Sequence, residues 1–390
     1  MNASPRLASR VKLKDAHLVT RMADIAESLD DVIKLGRGDP DLDTPAHIVK
    51  AGQDALGKGA THYTHPLGIP ALRQAIADNI RAHSGADYTP DQIVVTPGGQ
   101  QAMFILALGL LNPGDEILVP CPGYNPYHQA AEMAEATTVH IRTSISTNFC
   151  LTAEMVEAAI TPRSKILVLI NPNNPTGTVT PPDEIRRIAE VAKKHDLIVI
   201  SDEIYARLTY GNHQVQPVAA LPGMAERTIT LSGLSKAYAM TGWRIGYFAG
   251  PPDLIPALAE INHAFAISTA AVSQNAAVAA LTGPQDCVEE MRQIYDTRRR
   301  QLMAGLDAMG IPYAEPQGAF YVYANVASTG IGGTVFCERL LREGRVMIYP
   351  GSIYGDYTDD FVRMSLTTHR IPEAMSRMKT VVDAIRREAA

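Results

Sequence analysis

A chain of 390 residues is too long for one small module and has room for two domains, or for one large α/β domain with an appendage. With 46% apolar and 19% charged residues it has globular composition, which excludes disordered, collagenous and coiled-coil classes. A net charge of −6 supplies no broad pull toward nucleic acid or an anionic membrane, and apolar runs such as Met103–Leu108 fall far short of the ~20 residues that span a bilayer.

Met1–Thr20 shows no apolar h-region ahead of a small-residue cleavage site. The four cysteines (Cys121, Cys150, Cys287, Cys337) are scattered and form no CxxC pair, so they read as reduced thiols in a cytoplasmic protein. Along the chain, an amphipathic stretch near Leu18–Leu35 precedes the turn-rich segment from Leu35 to Asp41. Gln92–Thr96 reads as a strand, Gly98–Leu111 as a helix, and Glu116–Pro120 and Val139–Thr143 as strands. Lys165–Ile170 is apolar without alternation, as expected of a strand buried on both faces of a parallel sheet. Asp183–His195 repeats apolar residues at helical spacing; Leu197–Ser201, Thr228–Leu231 and Arg244–Ala249 read as further strands. This alternation predicts an α/β fold, a mostly parallel central sheet covered by helices, with ligands at the carboxyl ends of the strands.

Beyond about Gln285 the pattern changes to α+β. A helix (Val288–Met309) is followed by Gly318–Asn325, a helix (Thr334–Gly344), Val346–Gly351, Phe361–Leu366 and a last helix (Ile371–Arg387). The expected division is a large domain, 41–284, and a smaller one made of 1–40 and 285–390.

Four segments that follow predicted strands carry the chemistry. In Thr96-Pro-Gly-Gly-Gln-Gln101 a strand turns through glycines into a helix, where free N–H groups can bind phosphate; alone it reads as well as a plain tight turn. Asn171-Pro-Asn-Asn-Pro-Thr-Gly177 is a rigid loop offering three Asn side chains. Asp202, in Ser201-Asp-Glu-Ile-Tyr205, follows an apolar strand, where a carboxylate needs a cation or several donors; a helix cap is the simpler reading of that motif alone. Lys236, in Leu231-Ser-Gly-Leu-Ser-Lys-Ala-Tyr-Ala-Met-Thr-Gly-Trp-Arg-Ile-Gly-Tyr247, is set among small and apolar residues, as suits a desolvated nucleophile, with Ser232, Ser235 and Arg244 nearby as phosphate ligands.

A lysine for an aldehyde, donors for a phosphate and a carboxylate for a ring nitrogen are what pyridoxal 5'-phosphate (PLP) needs. The chain resembles the class I and II aminotransferases, the fold-type I PLP enzymes related to aspartate aminotransferase, from Leu35-Gly-Arg-Gly-Asp-Pro-Asp-Leu-Asp-Thr-Pro45 to Val362-Arg-Met-Ser365. The resemblance implies that Lys236 is the Schiff-base lysine, that Asp202 pairs with the pyridinium nitrogen, and that Asn174 and Tyr205 bond the phenolic oxygen. It implies that Tyr124 stacks on the cofactor, that Gly99 and Gln100 give backbone donors to phosphate, and that Ser232, Ser235 and Arg244 give side-chain ligands, Ser232 departing from the usual spacing. Tyr63 would reach the phosphate of a neighbouring subunit, implying a homodimer with shared sites. Arg363 would clamp the substrate α-carboxylate, with Gly38 giving backbone access to it.

The reaction implied is transfer of the amino group of an L-amino acid, aspartate or a related one, to a 2-oxo acid. A carbon–sulfur β-lyase or an aminocyclopropane-forming synthase would keep the same cofactor residues. A PLP-sensing regulator would need a helix-turn-helix domain and a basic face, which an acidic chain with a short stretch before Leu35 does not suggest. Gly52–Gly59 mimics a phosphate-binding P-loop but has Gly59 in place of Ser or Thr and looks helical. No metal-ligand spacing is present. Arg37 is a candidate second cation for a dicarboxylate substrate, and Tyr321 and Tyr323 read as packing residues.

Overall fold

The computed structural model describes Arg6, Ala8 and residues 16–389. Most of Met1–Thr20, read above for a leader, and most of the first fifteen residues assigned to the small domain lie outside the described residues. The strands, in chain order, are β1 (Ile33–Lys34), β2 (Ile93–Thr96), β3 (Glu116–Cys121), β4 (Thr137–Arg142), β5 (Ser164–Ile170) and β6 (Ile198–Asp202). There follow β7 (Thr228–Gly233), β8 (Gly246–Ala249), β9 (Tyr321–Asn325), β10 (Val346–Met347), β11 (Tyr349–Pro350) and β12 (Phe361–Ser365).

Seven strands form one sheet in the order β2-β8-β7-β6-β5-β3-β4. From β7 to β4 all neighbours are parallel, while β8 runs antiparallel to both β7 and β2. The apolar run of β5 shows why the sheet is buried on both faces. Ile166, Val168 and Ile170 enter the core under the helices Gly99–Leu110 and Pro126–Met133, and Leu167 and Leu169 enter the core under Pro182–Lys194. Side chains alternate along a strand, so an unbroken apolar run is what two covering layers require.

The helix Pro182–Lys194 shows how local sequence sets such a layer. Proline opens its first turn, Asp183 and Glu184 sit at its amino end, and Lys193 and Lys194 at its carboxyl end, all favourable to the helix dipole. Its buried residues, Ile185, Ile188, Ala189 and Ala192, follow the helical repeat. The Gly52–Gly57 stretch lies within the helix Ala46–Gly57, with no strand leading into it, which removes the P-loop reading.

One further core joins Met22, Ile25 and Ile33 near the start of the chain to residues between Met291 and Ile385. β1 pairs in parallel with β10, and β11-β12-β9 form a separate antiparallel sheet. The segment leaving β1 is tied down by a bidentate ion pair: Nη1 and Nη2 of Arg298 donate to the two carboxylate oxygens of Asp41 at 2.6 and 3.0 Å, and Nη1 also donates to the carbonyl of Leu366 at 3.0 Å. Two expectations change here. Val346–Gly351 is two short strands on different sheets rather than one. Arg244 does not lie in β8, which begins at Gly246; Arg244 occupies a turn at φ +53°.

Arg298 is buried and Asp41 is partly exposed, so removing the guanidinium costs the charge-assisted hydrogen bonds rather than stranding a buried charge. Arg298→Ala is expected to lower unfolding stability by roughly 2 kcal/mol in urea titrations. An unchanged midpoint would show that Asp41 is already served by water.

Candidate active site

The carboxyl ends of the parallel strands open onto one cavity of about 720 Å³. Because β8 is reversed, its amino end lies at the same edge, so a residue just before β8 joins residues just after the other strands. The cavity is lined by Gly99 and Gln100 after β2, Tyr124 after β3, Asn174 after β5, Asp202 at the end of β6, Ser235 and Lys236 after β7, and Arg244 before β8. Tyr205, Gly38 and Arg363 complete the set of sequence-predicted residues that meet there.

At one end the backbone forms a cradle. β2 leaves through Gly98, at φ +87°, into the helix Gly99–Leu110. A Cβ on Gly98 would lie 2.4 Å from Nη2 of Arg244, and one on Gly246 would lie 2.3 Å from the nitrogen of Gly99. Two absent side chains therefore let the arginine and β8 close on the helix start. Nη1 of Arg244 donates to the carbonyl of Thr241 at 3.0 Å, which aims the exposed guanidinium. With ψ 157° the backbone of Gly98 lies in a region open almost only to glycine, costing any other residue about 1–3 kcal/mol. Helix N–H groups, a guanidinium and the Ser235 hydroxyl in one corner suit a phosphate.

Asp202 is buried. The hydroxyl of Tyr127 donates to its Oδ2 at 2.8 Å and the N–H of Ile204 to its Oδ1 at 3.2 Å. Burial pushes its pKa up to about 6, and these two donors with the charge of Lys236 pull against that rise. Lys236 is half-buried, its Nζ donating to the carbonyl of Gly38 at 2.7 Å and lying 5.6 Å from the centre of the Phe320 ring. Burial lowers its pKa from 10.5 to about 8. Above that pH the amine is neutral and nucleophilic.

At the opposite end, Arg363 projects from β12. Its Nη1 donates to Oδ1 of Asn174 at 3.1 Å and its Nη2 to the carbonyl of Gly36 at 2.6 Å, while Nε is buried without a partner. The guanidinium lies 4.3 Å from the Tyr321 ring centre and 4.9 Å from that of Tyr354. The hydroxyls of Tyr205 and Tyr321 are 2.9 Å apart.

Three sequence-predicted residues lie elsewhere. Ser232 is within β7 and donates to the carbonyl of Glu203 at 3.3 Å, away from the cavity lining. Tyr63 is 77% exposed and outside the cavity. Arg37 lines a separate surface cavity with Lys34 and Arg370. Two residues were missed. Tyr127, in the helix Pro126–Met133, carries no motif. Tyr321 was read as packing together with Tyr323, but only Tyr323, against Phe149 and Phe361, is confined to packing; Tyr321 lies at the cavity end of β9.

The residues present fit PLP. The glycine cradle with Arg244 matches a phosphate, Asp202 a protonated ring nitrogen, Lys236 an aldehyde carbon, and Arg363 a carboxylate of the substrate.

A profile described as aminotransferase class I and II matches residues 30–378. The chain is 35% identical to aromatic-amino-acid aminotransferase 2 of Thermococcus litoralis, over 96% of this chain and 98% of that one. It is 37% identical to aspartate aminotransferase of Pyrococcus abyssi over the same shares. The crystal structure of the aspartate aminotransferase from Rhizobium meliloti superposes with a TM-score of 0.91 at 35% identity, covering 98% of this chain and 99% of that one.

The depressed pKa of Lys236 has a direct readout. Added to cofactor-free protein, PLP should be captured covalently at a rate that rises with pH and levels off above about 8. A rate that keeps rising toward 10.5, the value of an ordinary lysine, would contradict the burial argument.

Proposed function

We propose that this chain, which belongs to the class I and II aminotransferases, takes L-aspartate or a related amino acid as donor and a 2-oxo acid as acceptor. It is a PLP-dependent transaminase of fold type I. The observation that carries the reading is the Lys236 amine, partly desolvated in a cavity whose other charged groups are two arginines and the carboxylates of Asp202 and Asp39. The names of the relatives favour transamination over the β-lyase and cyclising reactions.

In this reading, Gly99, Gln100, Ser235 and Arg244 hold the phosphate. Tyr124 stacks on the cofactor ring. Asp202, kept in place by Tyr127, holds a proton on the ring nitrogen. Asn174 and Tyr205 serve the phenolic oxygen. Bound PLP supplies an aldehyde that takes the substrate amino group and an electron-poor ring that weakens the Cα–H bond. Arg363 binds the α-carboxylate beside the Gly38 backbone, which orients the Cα–H bond toward Lys236. Nζ of Lys236, neutral above about pH 8 before cofactor binds, then accepts the Cα proton and returns it as general acid.

The reading extends to organisation. The division into 41–284 and 1–40 with 285–390 is supported by the pairing of β1 with β10 and by the β11-β12-β9 sheet, both separate from the seven-stranded sheet. A symmetric homodimer is supported by Tyr63 at 77% exposure, close to exposed Phe265 and Ile267 through the bond from the Thr64 N–H to the Ser268 hydroxyl. A cytoplasmic location belongs to the same reading; among the described residues no helix is long and apolar enough to cross a membrane.

A second donor class has one observation in its favour. The cations lining the cavity are Lys236, Arg244 and Arg363, each with a role above, and Arg37 lies outside. A distal carboxylate therefore meets no further cation of this chain among the described residues, whereas Ile353 and Tyr354 offer surface to an aromatic side chain.

Lys236→Ala is expected to lower transamination by roughly 10³-fold or more and to abolish borohydride trapping of PLP at that position; full turnover, or a label elsewhere, overturns the assignment. Comparing kcat/KM for aspartate and phenylalanine decides between the donor classes. Release of ammonia without an oxo-acid acceptor would replace both with elimination. For the dimer, sedimentation should give two chains per particle, and Tyr63→Phe should weaken PLP binding several-fold. A fully active monomer contradicts it.

A further inference from the structure

We propose that Tyr321 is a positioning residue of this site, whose hydroxyl sets the proton direction of Tyr205 and whose ring supports Arg363. The inference rests on the roles given above to those two residues and concerns a group that neither the motifs nor the packing reading assigned.

Tyr321 opens β9, is 2% exposed, and pairs with Ser365 of β12, two residues beyond Arg363. The guanidinium carbon of Arg363 lies 4.3 Å from the centre of its ring, where an aromatic face attracts a cation. Packing alone would be met equally by phenylalanine, so the hydroxyl needs a separate reason. It lies 2.9 Å from the Tyr205 hydroxyl. Each phenol has one proton to give. If Tyr205 donates to the phenolic oxygen of the cofactor, its own oxygen is free to accept, and Tyr321 is placed to donate to it. A hydroxyl that accepts a hydrogen bond becomes a stronger donor itself, more so in a buried site.

The same hydroxyl lies against Gly38. A Cβ at that position would lie 2.5 Å from Oη of Tyr321 and an ordinary 3.6 Å from its Cζ, and its three nearest neighbours would all belong to that residue. A side chain at position 38 would thus meet that hydroxyl first, and the carbonyl of Gly38 receives Nζ of Lys236. One hydroxyl therefore abuts the segment that holds the lysine and bonds the tyrosine that serves the cofactor, on a ring that carries the substrate clamp.

The test uses the holoenzyme and three variants: Tyr321→Phe, Gly38→Ala and the double variant. The readouts are the pH titration of the visible absorbance of bound PLP and the separate values of KM and kcat. Tyr321→Phe should retain PLP but move the titration midpoint upward by roughly half a pH unit, because a weakened Tyr205 donor stabilises the negative phenolic oxygen less. Gly38→Ala, which displaces the hydroxyl, should move it the same way and raise KM for the amino acid. In the double variant the methyl group has room, so KM should recover most of what Gly38→Ala loses and the midpoint should match that of Tyr321→Phe. An unmoved midpoint in Tyr321→Phe, or losses that add in the double variant, overturns the inference while covalent PLP at Lys236 leaves the transaminase reading intact. Wild-type protein without PLP at Lys236 overturns both.

Discussion

The guanidinium of Arg363 is carried by β12, yet it donates to Asn174 in the loop after β5 and to Gly36 in the segment leaving β1. Three distant stretches of chain meet on one buried cation. Burying a charge costs several kcal/mol unless it is compensated. Here the partners are an amide oxygen, a peptide carbonyl and the faces of aromatic rings, and none of these carries a formal negative charge. The positive potential is therefore solvated by dipoles but not cancelled. A cavity built around such a charge selects a carboxylate, and the contacts that solvate the arginine are the ones that bring the cavity walls together.

Burial acts in opposite directions on the two groups between the arginines. It raises Asp202 and lowers Lys236, moving both toward neutrality. For the lysine that is useful, since an amine must lose its proton before it can attack. For the aspartate it is resisted, by Tyr127 and by the N–H of Ile204, so that a negative charge persists where a cationic ring nitrogen would gain from it.

Much of this was legible in the sequence, because the signals are local. The unbroken apolar run of β5, the proline and charges at the ends of Pro182–Lys194, and the glycines around residue 98 each state their own geometry. So do the loops after β5 and β7 and the last residue of β6, which deliver Asn174, Lys236 and Asp202. What was not legible depends on partners remote in sequence. The helix Ala271–Thr282 is so rich in alanine that it has little contrast between faces, and its burial is decided by the helix Ala46–Gly57 against which it packs. Arg244 looked like part of a strand because apolar residues follow it, whereas the close approach of Gly98 requires a turn there. Tyr321 and Tyr323 share one face of β9 by alternation, so only the position of the cavity along that strand separates a cavity-lining residue from a core residue.

The reversal of β8 has a consequence for how the site could be altered. Ser232 and Gly233 pair directly with Tyr247 and Gly246, so the stretch between them is a closed hairpin arch, and it bears both Lys236 and Arg244. The Lys236 amine and the Arg244 guanidinium are thus fastened to the sheet at the same two points. Lengthening or shortening the arch would shift them as a pair, leaving Asp202 and Arg363 behind. The twelve-residue arch therefore sets the separation of that amine and that guanidinium independently of the other walls of the cavity.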